Sequence, residues 1–170
     1  HKAWHNTPAI RLAPLTVFFG ANSSGKSSIN QLLLMLKQTV QSPDRRMPLH
    51  FGDPKTVVEL GTFWDVVYAH DNDNRIAFEL EWQLPNEMKV TDGRSNQHYL
   101  GKSIKFATEL GLPGGERQDL VVYQMSYQMD ESSNGLKVEM KRQPVDSNTD
   151  HYLLTTYPHH LVVPKSSALL

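Results

Sequence analysis

The sequence predicts an α/β fold in which a strand, a phosphate-type loop and one long helix are joined to an antiparallel β meander, so that the sheet is mixed. Three observations predict it. The octet Gly20-Ala21-Asn22-Ser23-Ser24-Gly25-Lys26-Ser27, followed by Ser28, fits the pattern G-x-x-x-x-G-K-[ST] at every fixed position. Apolar residues recur at helical spacing just after it, at Ile29, Leu32, Leu33, Leu36 and Val40. From Arg75 onward the hydrophobic pattern changes to period two.

The elements follow in order. Ile10 to Leu12 and Leu15 to Phe19 read as short β-prone runs, the second ending on Gly20. In the loop, Gly20 and Gly25 let the backbone turn tightly enough for successive N–H groups to face a polyanion. Asn22 and Ser23 shape it. Lys26 supplies a mobile point charge for the phosphates, Ser27 is placed to hold magnesium, and Ser28 donates from the helix N-terminus, where the dipole favours anions. Lys26 to about Gln41 reads as the one long helix, ended by Ser42-Pro43. Arg75 to Trp82, Ser103 to Thr108, Leu120 to Met129, Leu136 to Met140 and Tyr152 to Thr156 alternate as strands. Asp71-Asn72-Asp73-Asn74, Asp92-Gly93, Pro113-Gly114-Gly115 and Ser133-Asn134-Gly135 separate them as turns.

Composition narrows the classes. The chain has 170 residues, 39% of them hydrophobic, which suffices for one real core and sets a single domain as the default. A formal net charge of −1 supplies no global field toward nucleic acid or anionic membrane. Zero cysteines exclude disulfides and thiol or Cys-zinc chemistry, which together with the loop fits a cytoplasmic setting. No stretch has the apolar length of a membrane span.

The run Lys2-Ala3-Trp4, then Ile10 through Ser28, with Asn22 two residues after the first glycine and the Ser27-Ser28 pair, resembles the N-terminus of stand-alone ABC-type ATPases of the AAA annotation group, similar to SMC, RecF and OLD nuclease heads. Val58 to Tyr68, leading into a meander, is similar to that group as well. The resemblance implies a P-loop NTPase head lobe, with residues 1–45 as loop strand and helix, 46–160 as a β subdomain, and the rest of the head beyond Leu170. It further implies ATP and Mg²⁺ as cofactors, bound by Gly20, Ala21, Asn22, Ser23, Ser24, Gly25, Lys26, Ser27 and Ser28, with Lys26 catalytic and Ser27 on the metal. The expected function is ATP-driven homodimerisation through a nucleotide sandwich. ATPase activity completed by the missing lobe would then control a nuclease or other effector in DNA maintenance or antiviral defence. DNA is a possible further partner. Alternatives are a nucleotide-gated scaffold without turnover and a P-loop phosphoryl transferase.

Two look-alikes are set aside. Leu112-Pro113-Gly114-Gly115-Glu116-Arg117-Gln118 has the look of an ABC signature and Met129-Asp130-Glu131 of a Walker B end, yet Leu120 to Met129 between them alternates like a half-exposed strand. His151, His159 and His160 lack metal-site spacing, and Asp71 to Asn74 lacks the glycine and glutamate of a calcium loop. Trp64 and Trp82 read as core and Trp4 as core or an adenine contact. Gln124 and Gln128 are candidates for a magnesium-sensing glutamine, and Arg45, Arg46, Lys102 and Lys105 are the basic groups to weigh against DNA.

Overall fold

The computed structural model describes residues 5–93, 95–114, 119–129, 135–143 and 151–158. Contacts divide the chain into two compact units, His1–Ile76 with Gly111–Val121, and Ala77–Leu110 with Val122–Leu170. The first holds helix α1 (Lys26–Gln41), the four-residue helix α2 (Phe63–Val66) and a 3₁₀ turn (Tyr68–His70). Strands β1 (Ile76–Thr91), β2 (His98–Gly111), β3 (Val121–Met129), β4 (Leu136–Gln143) and β5 (His151–Tyr157) form the sheet of the second.

In the first unit, α1 begins after Gly25, whose left-handed φ of 86° is open to glycine, and ends at Ser42, whose N–H donates to the Thr39 carbonyl. The helix thus has the predicted bounds but not the predicted face. Ser28, Met35 and Gln38 are its buried residues, more than a third of a turn from the stripe through Ile29, Leu33 and Leu36, and Val40 is exposed. Leu49, Leu60, Phe63, Val66, Val67, Ile76 and Val121 are the other buried apolar residues of this unit.

In the second unit the strands neighbour one another in sequence order, β1-β2-β3-β4-β5. β3 and β4 pair antiparallel with Met125 opposite Met140, and β4 and β5 with Met140 opposite Leu154. The six-residue β1–β2 connection and the nine-residue β2–β3 connection are too short for a parallel crossover. The sheet is therefore an open antiparallel meander. Register puts Met125, Tyr127 and Met129 on one face with Leu136, Val138, Met140, Leu154 and Thr156. The other face carries Gln124, Ser126, Gln128, Lys137, Glu139, Lys141 and Thr155, with Leu153 and Tyr157 on its β5 edge. Tyr99, Met129 and Leu136 form a buried cluster on the apolar face, flanked by Met88 and Val90.

β2 changes its facing along its length. A Cβ on Gly101 would meet the Met129 side chain, while the Phe106 ring lies 4.8 Å from Tyr127 on the same face of β3. Positions 101 and 106 have opposite parity, so β2 takes a bulge between them. The turn after β1 is closed by the Asp92 N–H on the Gln97 carbonyl and by the Ser95 hydroxyl on the buried Asp92 carboxylate, both at hydrogen-bonding distance (2.9 and 2.5 Å). Burial pushes the nearby Tyr99 phenol above its ordinary pKa, and Asp92 adds to the shift.

This architecture corrects the expected fold class and the resemblance. A mixed sheet of the P-loop NTPase type needs a central parallel strand leading into the loop, buried on both faces. Leu15 to Phe19 is not a strand: Leu15 is 83% and Phe19 89% exposed, and no parallel pair occurs among the described residues. Thr16 folds back instead, its hydroxyl accepting the Ala13 N–H and donating to the Ala13 carbonyl. Ile10 to Leu12 likewise forms no strand. The ABC/SMC-like head is thus replaced by an antiparallel meander plus a small helical unit. Trp64 and Trp82, expected in the core, are 48% and 42% exposed.

Candidate functional site

The loop from Gly20 to Ser28 is built by three unusual backbone positions. Gly20 has φ 154°, Ser23 φ 63° and Gly25 φ 86°, and the Ser24 N–H donates to the Ala21 carbonyl at 3.3 Å. Ala21, Asn22, Ser23 and Ser24 are exposed, Gly25 and Lys26 half-buried, Ser27 exposed and Ser28 buried. Lys26 folds back across the loop, its Nζ donating to the Gly20 carbonyl at 2.8 Å and the Ala21 carbonyl at 2.6 Å. The Ser28 N–H closes the first turn on the Gly25 carbonyl at 3.0 Å. No side-chain cap and no acidic residue sit at this helix start. An ammonium and the positive end of a 16-residue helix therefore converge on one exposed loop with no carboxylate in the first turn.

The structure corrects the chemistry expected to follow from this loop. The strand on which an ATPase site is mounted is not formed, so ATPase activity, nucleotide-driven dimerisation and the phosphoryl-transferase alternative lose their framework. The ATP·Mg²⁺ cofactor reading is corrected with them. Among the described residues no group of three or more His, Asp or Glu is arranged to hold a metal ion.

The lesser candidates are also placed. Gln124 donates to Glu139 at 2.9 Å, and Gln128 faces Lys137 in the register, so both belong to the polar sheet face. Lys105 is paired with Glu79 at 3.0 Å, Arg46 with Asp44 at 3.3 Å, and Arg45 donates to the Val40 carbonyl. Asp71 to Asn74 is an Asx turn, the Asp73 N–H on Asp71 Oδ1 at 3.0 Å, leading from the 3₁₀ turn into β1. Trp4, His159, His160, Asp130, Glu131 and the centre of the signature look-alike lie outside the described residues. β3 confirms Leu120 to Met129 as a strand in essence.

Sequence reasoning missed an open cleft of about 610 Å³ in the first unit, lined by Glu59, Leu60, Gly61, Asp65 and His70. Asp65 accepts from both the N–H and the hydroxyl of Thr62, a capping-box contact that Thr62-x-x-Asp65 signals in the sequence. His70 Nδ1 lies 2.8 Å from the Trp64 carbonyl and its ring stacks on Trp64. Facing a carbonyl, that nitrogen carries the proton.

Among the described residues no helix is long and apolar enough to cross a membrane. No protein-family model, curated protein or solved structure matches the chain.

Proposed function

We propose that the Gly20–Ser28 loop binds a phosphate-class oxyanion, with Lys26 as its charge partner and the first-turn N–H groups of α1 as donors. One observation carries this reading. Lys26 Nζ is held over the loop at a helix N-terminus that has neither a side-chain cap nor a first-turn carboxylate. Oxyanions are favoured at such a terminus by aligned N–H groups and by the dipole. The serines at 23, 24, 27 and 28 add hydroxyls that both donate and accept, which suits a tetrahedral anion presenting several oxygens.

The same chemistry is carried by free phosphate and by a phosphodiester backbone, and the test separates them. Calorimetric titration with inorganic phosphate, pyrophosphate and a short single-stranded oligonucleotide is expected to give binding in wild type. In Lys26→Ala affinity should fall by about tenfold to a hundredfold, the worth of one charge-assisted hydrogen bond. Binding of the oligonucleotide alone, with a strong salt dependence, would identify nucleic acid as the source. No binding of any of the three, or equal binding by Lys26→Ala, overturns the assignment.

A further inference from the structure

The turn that follows α1 is organised around His50. Both of its backbone groups are tied to the helix: the His50 N–H donates to Thr39 Oγ1 at 2.8 Å, and the His50 carbonyl accepts from Gln38 Nε2 at 2.7 Å. Gln38 also takes the Val58 N–H on its Oε1 at 3.3 Å, so one buried carboxamide joins the two ends of the turn. The ring closes the third side. Its Nδ1 accepts the Gly52 N–H at 3.1 Å, and its Nε2 lies 3.8 Å from Asp53 Oδ2.

A backbone N–H has only a proton to offer, so Nδ1 holds a lone pair and the neutral ring carries its hydrogen on Nε2, toward Asp53. Gly52 is at φ 108°, and a Cβ there would lie 1.9 Å from the Val58 carbonyl oxygen, so the two limbs of the turn are in backbone contact at this residue. The Leu60 N–H on the Phe51 carbonyl at 2.7 Å continues the pairing. α1 meets the turn through the uncharged Gln38 and Thr39, the return limb through the backbone of Val58 and Leu60, and the charged group beside the ring is Asp53.

We propose that His50 is an acid-sensitive latch: its imidazole, accepting the Gly52 N–H while facing Asp53, holds the turn shut only when neutral. Protonation puts a hydrogen on Nδ1, and two donors then face each other. The ring is drawn instead to the Asp53 carboxylate, Gly52 loses its side-chain acceptor, and the contact between residue 52 and the Val58 carbonyl opens. The Gln38 and Thr39 bonds do not titrate, so the opening is confined to residues 51–60 and α1 is unaffected.

Amide exchange read by NMR at pH 7.5 and pH 5.0, corrected for the intrinsic pH dependence of exchange, tests this. Protection at Gly52 is expected to drop roughly tenfold at the lower pH, with a smaller loss at Leu60, as one hydrogen bond is given up. His50→Asn offers a carbonyl oxygen close to the Nδ1 position and does not titrate, so its Gly52 protection should be independent of pH. Constant protection in wild type, or an equal loss in His50→Asn, overturns the latch. Should that variant not fold, the wild-type ring nitrogen shifts decide: a proton on Nδ1 at pH 7.5 overturns the proposal, and a lone pair there that is lost together with Gly52 protection supports it.

Discussion

At the scale of single residues, two glycines distinguish what the backbone requires from what it tolerates. A Cβ on Gly52 would lie 1.9 Å from a backbone carbonyl oxygen, at a φ of 108° that L side chains rarely adopt. Gly101 has ordinary backbone, and its Cβ would meet the side chain of the buried Met129, 2.3 Å from Cγ and 3.0 Å from Sδ. Gly52→Ala is therefore expected to destabilise by about 2–4 kcal/mol, from clash and strain together. Gly101→Ala should cost less, about 1–2 kcal/mol, because the clash is with a side chain that can repack rather than with backbone. Chemical denaturation of the two variants side by side checks the order, and equal losses would mean that the turn at Gly52 yields. Nothing in the sequence distinguishes these glycines, because the contact that makes Gly52 necessary comes from Val58, six residues away. Gly20 and Gly25 were legible only because a spacing pattern marks them.

At the scale of elements, α1 and the polar sheet face make separate points. Helical spacing fixed the bounds of α1 correctly, but the side it buries was set by the 50–60 turn, which seats Gln38 through its bonds to His50 and Val58. Gln38→Leu is expected to cost about 1–2 kcal/mol despite adding apolar surface, because it strips partners from the half-buried His50 carbonyl and Val58 N–H. A thermal melt that matches wild type would show that water replaces them. On the sheet, Glu139 is surrounded by donors: Gln124 at 2.9 Å, Lys137 at 3.1 Å and Lys141 at 3.1 Å. Burial alone would raise the Glu139 carboxyl, but the hydrogen bonds from Lys141 and Lys137 outweigh it and hold the group below its usual 4.5. A lowered value in the folded state means stabilisation present at neutral pH and lost as pH falls through that value. The stability gap between wild type and Glu139→Gln should thus be open at pH 7 and close below pH 4.5; a gap that persists at pH 2.5 would point to packing rather than charge. Period-two alternation made all five strands legible, and the lengths of β1, β2, β4 and β5 were underestimated, β1 running on to Thr91 past Pro85 as an edge strand can. The β-prone composition of Leu15 to Phe19 misled. It records a propensity, and a strand also needs a neighbour, which local pattern does not supply.

At the scale of the whole molecule, every residue of the Gly20–Ser28 loop falls within the first contact unit, whereas all of β2, β4 and β5 except Gly111 falls within the second. A ligand that binds only the folded loop stabilises whatever unfolds together with it, by about 2.7 kcal/mol at a hundred times its dissociation constant. Hydrogen exchange by mass spectrometry reads that quantity separately for each part of the chain. With saturating inorganic phosphate, segments from α1 and from residues 49–67 should gain protection up to that limit, and Lys26→Ala should remove the gain. Segments from β4 and β5 then report cooperativity. Protection rising there by the same amount makes the chain a single unfolding unit, and protection unchanged there makes the two units thermodynamically separate. A gain absent from α1 itself overturns oxyanion binding at the loop, since no anion can be held by the first turn of a helix without opposing its unfolding.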